Sequence, residues 1–172
     1  MQITLRKFEK RDVENKVKWI NDSQNNTYLH YELPLEIEKT NEWFEKIRNR
    51  TDRFDAVIEA DGVAIGLIGL LNIDSKNKKA EYYVCIGEQW AKGKGIAKGA
   101  SKSLLEYAFK DLKLNKVYLY TEKENIFAQA LFEKLGFIKE GLLKEDLIYN
   151  DRKVDRFFYG ITKQEYEAKH CD

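Results

Sequence analysis

The sequence of 172 residues is poor in cysteine and proline and has almost no net charge. Its two cysteines, Cys85 and Cys171, form neither a disulfide framework nor a metal-ligand spacing, so we expect a buried apolar residue and a tail thiol, respectively. No metal site is predicted. Because 30 Lys and Arg residues nearly balance 29 Asp and Glu residues, the formal charge of +1 gives no reason to expect nucleic acid or a membrane surface as a partner.

Long hydrophobic segments are also absent from the sequence. No window approaches the roughly 18 apolar residues that a membrane span needs, and the opening "MQITLRKFEK" has no apolar signal core. The chain has no internal repeat and no linker rich in Pro, Gly or Ser. We therefore expect one cytoplasmic domain over residues 1–172, with an N-terminal part (1–53), a central part (54–137) and a C-terminal hairpin and tail (138–172).

The N-terminal part combines one short strand with two helical patterns. The segment "ITL" predicts a strand, and the following periodicity predicts a helix that opens near Asp12. In a second helix, Pro34, the only proline, is expected in the first turn. Trp43, Phe44 and Ile47 supply the apolar stripe of this helix, which we expect to be buried.

The remainder of the chain alternates strands and helices. Two apolar runs joined by Asp61-Gly62 predict a hairpin, and the nearly continuous "AEYYVCIG" predicts a central strand covered on both faces. A long helix, the strand "NKVYLYT", a short helix ending at Gly136, and a hairpin around Asn150-Asp151 follow, before a charged tail. This order predicts an α/β domain around a single mixed sheet.

The stretch "QWAKGKGIAKGASKSLLEYAF" is the clearest ligand signal. A strand that ends at Gly87 and a helix that begins near Gly95 leave a turn whose N–H groups point along the helix axis, which suits a phosphate or pyrophosphate. Glycine allows the positive φ that such a turn needs. No G-x-x-x-x-G-K-[ST] run exists, and Lys98 stands where a dinucleotide fingerprint needs its third glycine. A plain strand-to-helix turn with solvated lysines is the competing interpretation.

A second segment, "ENIFAQALFEKLGFIKEG", favours the ligand-binding interpretation of the first one. Together they resemble the two central motifs of the GCN5-related N-acetyltransferase (GNAT) superfamily. The motif [Q/R]-x-x-G-x-[G/A] is matched by Lys92, Gly95 and Ala97. The motif N-x-x-A-x-x-L-[Y/F]-x-K-x-G-F is matched by Asn125, Ala128, Leu131, Phe132, Lys134, Gly136 and Phe137.

The resemblance covers essentially the whole chain. It looks closest to the branch of ribosomal-protein, spermidine and nucleotide-amino-sugar acetyltransferases. It implies a single GNAT domain whose mixed, mostly antiparallel sheet has a central splayed pair of parallel strands and flanking helices. It also implies acetyl-CoA as co-substrate, without a metal, and it makes a homodimer through the C-terminal strands an expectation.

The implied position of acetyl-CoA is the cleft where the two parallel strands separate. The amides of residues 93–97 would hold its pyrophosphate, and the backbone near Val84 would pair with its pantetheine arm. A backbone N–H near Ile86 would polarise the thioester carbonyl. The implied cofactor residues are Val84, Cys85, Ile86, Lys92, Gly93, Lys94, Gly95, Ile96, Ala97, Asn125, Ala128, Phe132 and Lys134.

The sequence departs from the family pattern at the usual general acid. Many members have tyrosine at the position of Phe132, which has no proton to give. Either the CoA thiolate leaves unassisted, or another group such as Tyr118 or Tyr120 donates a proton; packing roles for the two tyrosines are the alternative. Lys92 is a second departure, because glutamine or arginine is usual there and lysine lacks the planar fork.

The candidate general base is Glu81, at the start of the central strand. Its alternative is a strand-end carboxylate paired with a neighbouring lysine at position 76, 78 or 79. His30 is a second candidate, since histidine can exchange protons near neutral pH; a surface role is its alternative. Glu32 and Glu36 would attract a cationic amine, or simply favour a helix start.

The function implied by these features is direct attack of a primary amine on acetyl-CoA. The acceptor can be a polyamine, an amino sugar or a peptide N-terminus, and residues 1–53 are expected on the acceptor side. A module that binds CoA with little or no catalysis is the competing function, and Phe132, which replaces the usual tyrosine, would then mark the loss of catalysis. Nucleic-acid binding by the lysines of the glycine turn would need a basic face, which the near-neutral charge does not favour.

Overall fold

The computed structural model describes residues 1–170, so Cys171 lies outside the described residues. Seven strands are present in this part of the chain: β1 (Ile3–Lys7), β2 (Phe54–Ala60), β3 (Val63–Asp74), β4 (Lys79–Ile86), β5 (Lys116–Glu122), β6 (Ile138–Tyr149) and β7 (Arg152–Thr162). Its α-helices are α1 (Val13–Asn21), α2 (Ile37–Ile47), α3 (Ile96–Glu106), α4 (Ile126–Leu135) and α5 (Lys163–His170).

The strands form one sheet in the order β1-β2-β3-β4-β5-β7-β6. Only β4 and β5 are parallel, and they pair over three residues, from Lys79 with Lys116 to Glu81 with Tyr118. Beyond that point the two strands separate and leave a cleft at their carboxyl ends. The predicted fold class, a mostly antiparallel mixed sheet with a central splayed parallel pair, is confirmed.

Both predicted hairpins are present, and their turns have the expected backbone. Asp61 and Gly62 have φ values of 49° and 81°, and Asn150 and Asp151 have values of 49° and 59°. Positive φ at both central residues is typical of the two-residue turn whose twist matches that of the flanking strands.

Helices cover both faces of the sheet. Along β2, Ala56 and Ile58 belong to the larger core, whereas Val57 belongs to the smaller one, as expected when alternate side chains point to opposite faces. The larger core contains residues of α3, α4 and α5, and the smaller one contains residues of α1 and α2. Phe44 and Ile47 are buried as predicted, and Trp43 packs against the smaller core.

Two sequence predictions need correction. The prediction that Pro34 lies in the first turn of α2 is wrong, because this helix begins at Ile37 after Glu36, an N-cap residue with extended backbone. The charged tail forms α5, which was not predicted. Thr162 and Glu165 cap this helix reciprocally, through a 3.2 Å hydrogen bond to the hydroxyl and a 2.9 Å hydrogen bond to the carboxylate.

Candidate active site

The cleft between β4 and β5 contains two neighbouring cavities. The glycine cavity, about 630 Å³, lies against the turn before α3, and the central cavity, about 410 Å³, lies between β4, β5 and the loop before α2. Residues that line both cavities are Tyr28, Leu29, Val84, Cys85, Asn125, Ala128 and Leu131. Because the two cavities share these walls, they form one continuous cleft.

The turn before α3 has the conformation of an anion site. Gly93 and Gly95 have φ values of 74° and 75°, which L side chains rarely adopt. Gly95 is the N-cap of α3 and provides no side-chain hydrogen bond to the first turn. The N–H groups at this helix end are therefore not capped by a side chain, and the helix dipole adds positive potential beside the glycine cavity.

The backbone of β4 also faces the cleft. The N–H of Gly87 donates to β3, whereas the carbonyl of Lys78 accepts hydrogen bonds at the start of β5. Since successive residues of a strand direct their backbone groups to alternate sides, even-numbered residues of β4 direct theirs towards β5. Because β5 pairs only with the beginning of β4, the N–H and C=O groups of Val84 and Ile86 face the cleft.

Most residues of the implied cofactor set lie together in the glycine cavity. The eleven that line it are Val84, Cys85, Ile86, Lys92, Gly93, Gly95, Ile96, Ala97, Asn125, Ala128 and Lys134. Phe132 lines the central cavity instead, and Lys94 lines neither, since its Nζ lies 5.2 Å from the ring centroid of Trp90. Lys98 and Phe127 also line the glycine cavity, and sequence reasoning missed both.

Asn125 and Cys85 line both cavities, and they differ in what they can offer to a ligand. The side-chain oxygen of Asn125 accepts a hydrogen bond from the N–H of Ala128 at 3.2 Å and caps α4, which leaves its NH₂ group to donate to a ligand. Cys85 is a free cysteine, and burial raises the pKa of its thiol to about 11. A thiol that is protonated at neutral pH is a poor nucleophile.

Glu81 lines the central cavity where β4 and β5 begin to separate. Its carboxylate accepts a 3.0 Å hydrogen bond from Asn72, which has a φ of 50° at an irregularity of β3. Burial raises the pKa of Glu81, although the Asn72 hydrogen bond and the charge of Arg156 oppose the increase. Within residues 1–170, Glu81 forms no ion pair, so pairing with the lysine at position 76, 78 or 79 is not observed.

His30 is joined to a carboxylate that sequence reasoning missed. Its Nε2 lies 2.7 Å from Oε1 of Glu122, which is 2% exposed, and Nη2 of Arg152 lies 3.1 Å from the same oxygen. The ring of Tyr149 meets the edge of the imidazole at a centroid distance of 5.3 Å. His30 is therefore part of the wall of the central cavity and not a free surface residue.

The three aromatic candidates occupy different environments. Phe132 is 6% exposed at the wall of the central cavity and packs against other aromatic rings. Tyr120 also lines this cavity, with Cζ of Arg156 4.4 Å from its ring centroid. Tyr118 lies outside both cavities and stacks on Phe158 at 5.5 Å, which fits the packing alternative. Burial and the charge of Glu81 raise the pKa of Tyr118.

Glu32 and Glu36 lie in a third space, the side cavity, of about 550 Å³. They do not line the central cavity, so their role towards an acceptor stays a prediction. The side cavity shares Lys16, Tyr31 and Arg53 with the central cavity, so the two spaces adjoin.

Residues 1–170 contain neither a cluster of metal-binding side chains nor a helix that could span a membrane. No group of three or more His, Cys, Asp or Glu side chains is arranged to hold a metal ion in this part of the chain. None of the described helices is both long enough and apolar enough to cross a membrane.

Comparison with known proteins identifies the family. Residues 2–138 match the family model described as an acetyltransferase (GNAT) domain. The chain belongs to the GNAT acetyltransferase family. The spermidine N(1)-acetyltransferase of Escherichia coli (strain K12) is 30% identical over 173 residues, which cover 98% of this chain and 90% of that protein. The putative ribosomal N-acetyltransferase YdaF of Bacillus subtilis (strain 168) is 30% identical over 182 residues, covering 97% and 94%.

Solved GNAT structures share the fold over nearly the whole chain. The spermidine N-acetyltransferase from Vibrio cholerae in complex with CoA and spermine has a TM-score of 0.89 and 31% identity, covering 96% of this chain and 98% of that one. The predicted family, fold class and reaction class, acetyl-CoA-dependent N-acetyl transfer to an amine, are confirmed. The roles of individual site residues stay predictions.

Proposed function

We propose that this protein transfers the acetyl group of acetyl-CoA to the primary amine of a small molecule in the central cavity. The observation that carries the proposal is the continuous cleft, which joins an uncapped helix end and the exposed backbone of β4 to a carboxylate, Glu81, on the central cavity. The spermidine N-acetyltransferase from Vibrio cholerae, solved with CoA and spermine, supports a small-molecule amine as the acceptor.

The glycine cavity is the proposed cofactor side. The amides of residues 93–97 bind the pyrophosphate, with Lys92 and Lys98 adding positive charge. Val84 and Ile86 pair with the amides of the pantetheine arm through their free backbone groups, and the NH₂ group of Asn125 donates to the arm from α4. The uncapped N–H groups and the positive φ of both glycines support this assignment.

The central cavity is the proposed site of chemistry. Acetyl-CoA supplies an activated acetyl thioester, and the N–H of Ile86 polarises its carbonyl. Glu81 takes a proton from the ammonium group, the amine nitrogen forms a bond to the carbonyl carbon, and the carbon–sulfur bond breaks; the nitrogen then loses its second proton, which balances the proton that the CoA thiolate takes up. The raised pKa of Glu81 suits a base that works near neutrality.

The departing thiolate needs little help from the protein. Phe132 cannot donate a proton, and Tyr120 carries the hydroxyl that we propose as donor, because it lines the central cavity whereas Tyr118 does not. Because a CoA thiol is acidic enough to leave as thiolate, Tyr120 can donate this proton after the carbon–sulfur bond has broken. His30, held by Glu122, is proposed to shape the wall of the cavity on the acceptor side.

We also propose an oligomeric state and a cellular compartment. β6 is an edge strand with exposed apolar residues, Ile138, Leu142 and Ile148, which supports a homodimer through the C-terminal strands. Light scattering during gel filtration would test it. The free thiol of Cys85 is consistent with a reducing compartment such as the cytoplasm. The N-terminal part, residues 1–53, supplies the acceptor side through α1, α2 and the loop between them.

A CoA-binding module without catalysis is the second candidate, and Phe132 is the observation that favours it. The two functions differ in a paired measurement on the same preparation. Acetyl-CoA binding is measured by calorimetry, and thiol release is measured with polyamines, amino sugars, nucleotide-linked amino sugars, amino acids and N-terminal peptides. We expect binding and release with at least one amine. Binding without release from any amine would replace the enzyme with the module, and no binding would contradict both.

A further inference from the structure

Lys16 is a buried lysine that has no counterion among residues 1–170. It lies on α1, is 7% exposed and lines both the central and the side cavity. Its Nζ lies 4.2 Å from the ring centroid of Trp43 and 5.4 Å from that of Tyr31. Within residues 1–170 it pairs with no carboxylate and donates no hydrogen bond. Aromatic faces compensate only part of the cost of removing an ammonium from water.

The other cations of the central cavity are neutralised. Arg53 forms two hydrogen bonds to Asp55, at 2.6 and 2.9 Å. Arg156 pairs with Asp146 at 2.6 Å. Lys16 is therefore the cation of this cavity that has charge to offer to a ligand.

The carboxylates of the central cavity also divide into groups that are paired with a cation and one that is not. Asp55 is neutralised by Arg53 and also accepts from the hydroxyl of Tyr83, while Glu122 is paired with Arg152. Glu81 accepts only from the neutral amide of Asn72. The central cavity thus holds one carboxylate and one ammonium that form no ion pair with the described residues. A ligand with both charges would satisfy both groups.

We infer that the acceptor amine also carries an anionic group, a carboxylate or a phosphate, which Lys16 binds while the amine lies at Glu81. The inference rests on the proposed function and narrows its acceptor. Arg53 uses Nε and Nη2 for Asp55, which leaves Nη1 as a second donor to the anion. The side cavity, about 550 Å³, gives room for the remainder of the molecule beside the rings of Tyr31 and Trp43.

Two other partners for Lys16 are less favourable. Lys16 does not line the glycine cavity, so the phosphates of CoA at the turn before α3 are not its counterions. A polyamine would bring more positive charge to the central cavity, where Asp55 and Glu122 are already paired with arginines, and Lys16 would repel it. An anionic amine therefore fits the cavity better than the spermine that the Vibrio cholerae relative binds.

The test compares amines that differ in the anionic group. Thiol release is measured for glucosamine 6-phosphate against glucosamine, for 4-aminobutyrate against butylamine, and for spermidine. We expect the anionic member of at least one pair to have a kcat/KM at least about tenfold above its neutral partner and above spermidine. The phosphate pair and the carboxylate pair distinguish the two anions.

Two variants connect this preference to the residue. Lys16→Met keeps most of the side-chain length and should abolish the preference, because it removes the charge that binds the anionic group. Lys18→Met is the matched control on the same helix, because its side chain is 65% exposed and lines none of the three cavities. It should retain the preference.

The outcomes separate the inference from the proposed function. No release from any amine contradicts the proposed function. Release with no preference for the anionic members, or a preference that survives in Lys16→Met, overturns the inference alone. If Lys16→Met does not fold, inorganic phosphate is tested on the wild-type protein with a neutral amine. Phosphate should compete with the amine, and competition with acetyl-CoA only, or no inhibition, would overturn the inference.

Discussion

The two ends of the cleft are built in different ways. The glycine cavity depends on backbone: two positive-φ glycines, the uncapped end of α3 and the free groups of Val84 and Ile86. The central cavity depends on side chains from distant parts of the chain, such as Lys16 and Glu122. A backbone site tolerates many side-chain substitutions but few changes of φ. A side-chain site has the opposite tolerance, and the predictions below test this contrast.

The largest effect is expected from Glu81→Gln, which removes the proposed base from the central cavity. Activity at pH 7 should fall about 10²-fold, the usual scale of general-base catalysis, and the loss should narrow at high pH, where the amine loses its proton unaided. Because burial raises the pKa of Glu81, the acidic limb of the wild-type pH profile should lie above the ordinary glutamate range. Steady-state kinetics against pH measure both.

Stability gives an independent readout of the same variant. A raised pKa means that the folded state binds the proton more tightly, so the stability contributed by Glu81 is present at low pH and lost as pH rises through the folded-state pKa. Glu81→Gln should therefore melt at or above the wild-type temperature at pH 8. Glu106→Gln, an exposed carboxylate on α3, is the control and should leave the pH profile unchanged. An unchanged profile in Glu81→Gln would remove this residue from the role.

A large effect confined to the cofactor is expected from Gly95→Val. An L residue in the left-handed region costs about 1–2 kcal/mol, and relaxation of the turn would move the N–H groups of α3. The KM for acetyl-CoA should rise about tenfold with little change in the KM for the amine. Gly62→Val, at a φ of 81° in the β2–β3 turn, should lose stability without this KM effect. Equal KM effects in both variants would indicate general destabilisation.

A smaller effect, on the acceptor side, is expected from Glu122→Gln. The substitution removes the buried carboxylate with which both His30 and Arg152 pair. We expect a loss of about 2 kcal/mol in the free energy of unfolding, typical of hydrogen bonds to charged groups. Denaturant unfolding measures it. The KM for the amine should rise, and an increase confined to the KM for acetyl-CoA would contradict the assigned side of the cleft.

The smallest effect is expected from Phe132→Tyr. The ring is buried against Tyr82 and Tyr159, and the leaving thiolate needs no strong acid, so turnover should stay within about threefold of wild type. Single-turnover kinetics measure the chemical step directly. A large increase would mean that the native site lacks an acid that it needs.

The backbone end of the cleft could be predicted because its signals are local. Gly93 and Gly95 follow a strand and precede a helix, Asn125 begins the next helix, and all three lie in short segments that resemble the two GNAT motifs. The side-chain end could not be predicted in the same way. His30, Glu122 and Arg152 meet only after β5 and the C-terminal hairpin are in place, and no spacing connects them.

Two missed features did have sequence signals. Lys16 falls three residues after Val13 and four before Ile20, so it lies on the apolar stripe of α1, where a charge is unusual. The run from Thr162 to Glu165 has the spacing of a reciprocal helix cap, which marks the start of α5. A charged residue inside an apolar stripe is therefore the pattern to search for when an acceptor site is sought from sequence.

The β6–β7 hairpin follows the residues that match the family model and contributes to the wall of the central cavity. The family match ends at residue 138, whereas Arg156 of the hairpin lines the central cavity, and Tyr149 and Arg152 contact His30 and Glu122 in its wall. The matched residues contain the whole glycine turn, while part of the wall of the central cavity comes from the hairpin that follows them. Side-chain substitutions in this hairpin should therefore change the central cavity and leave the glycine turn as it is.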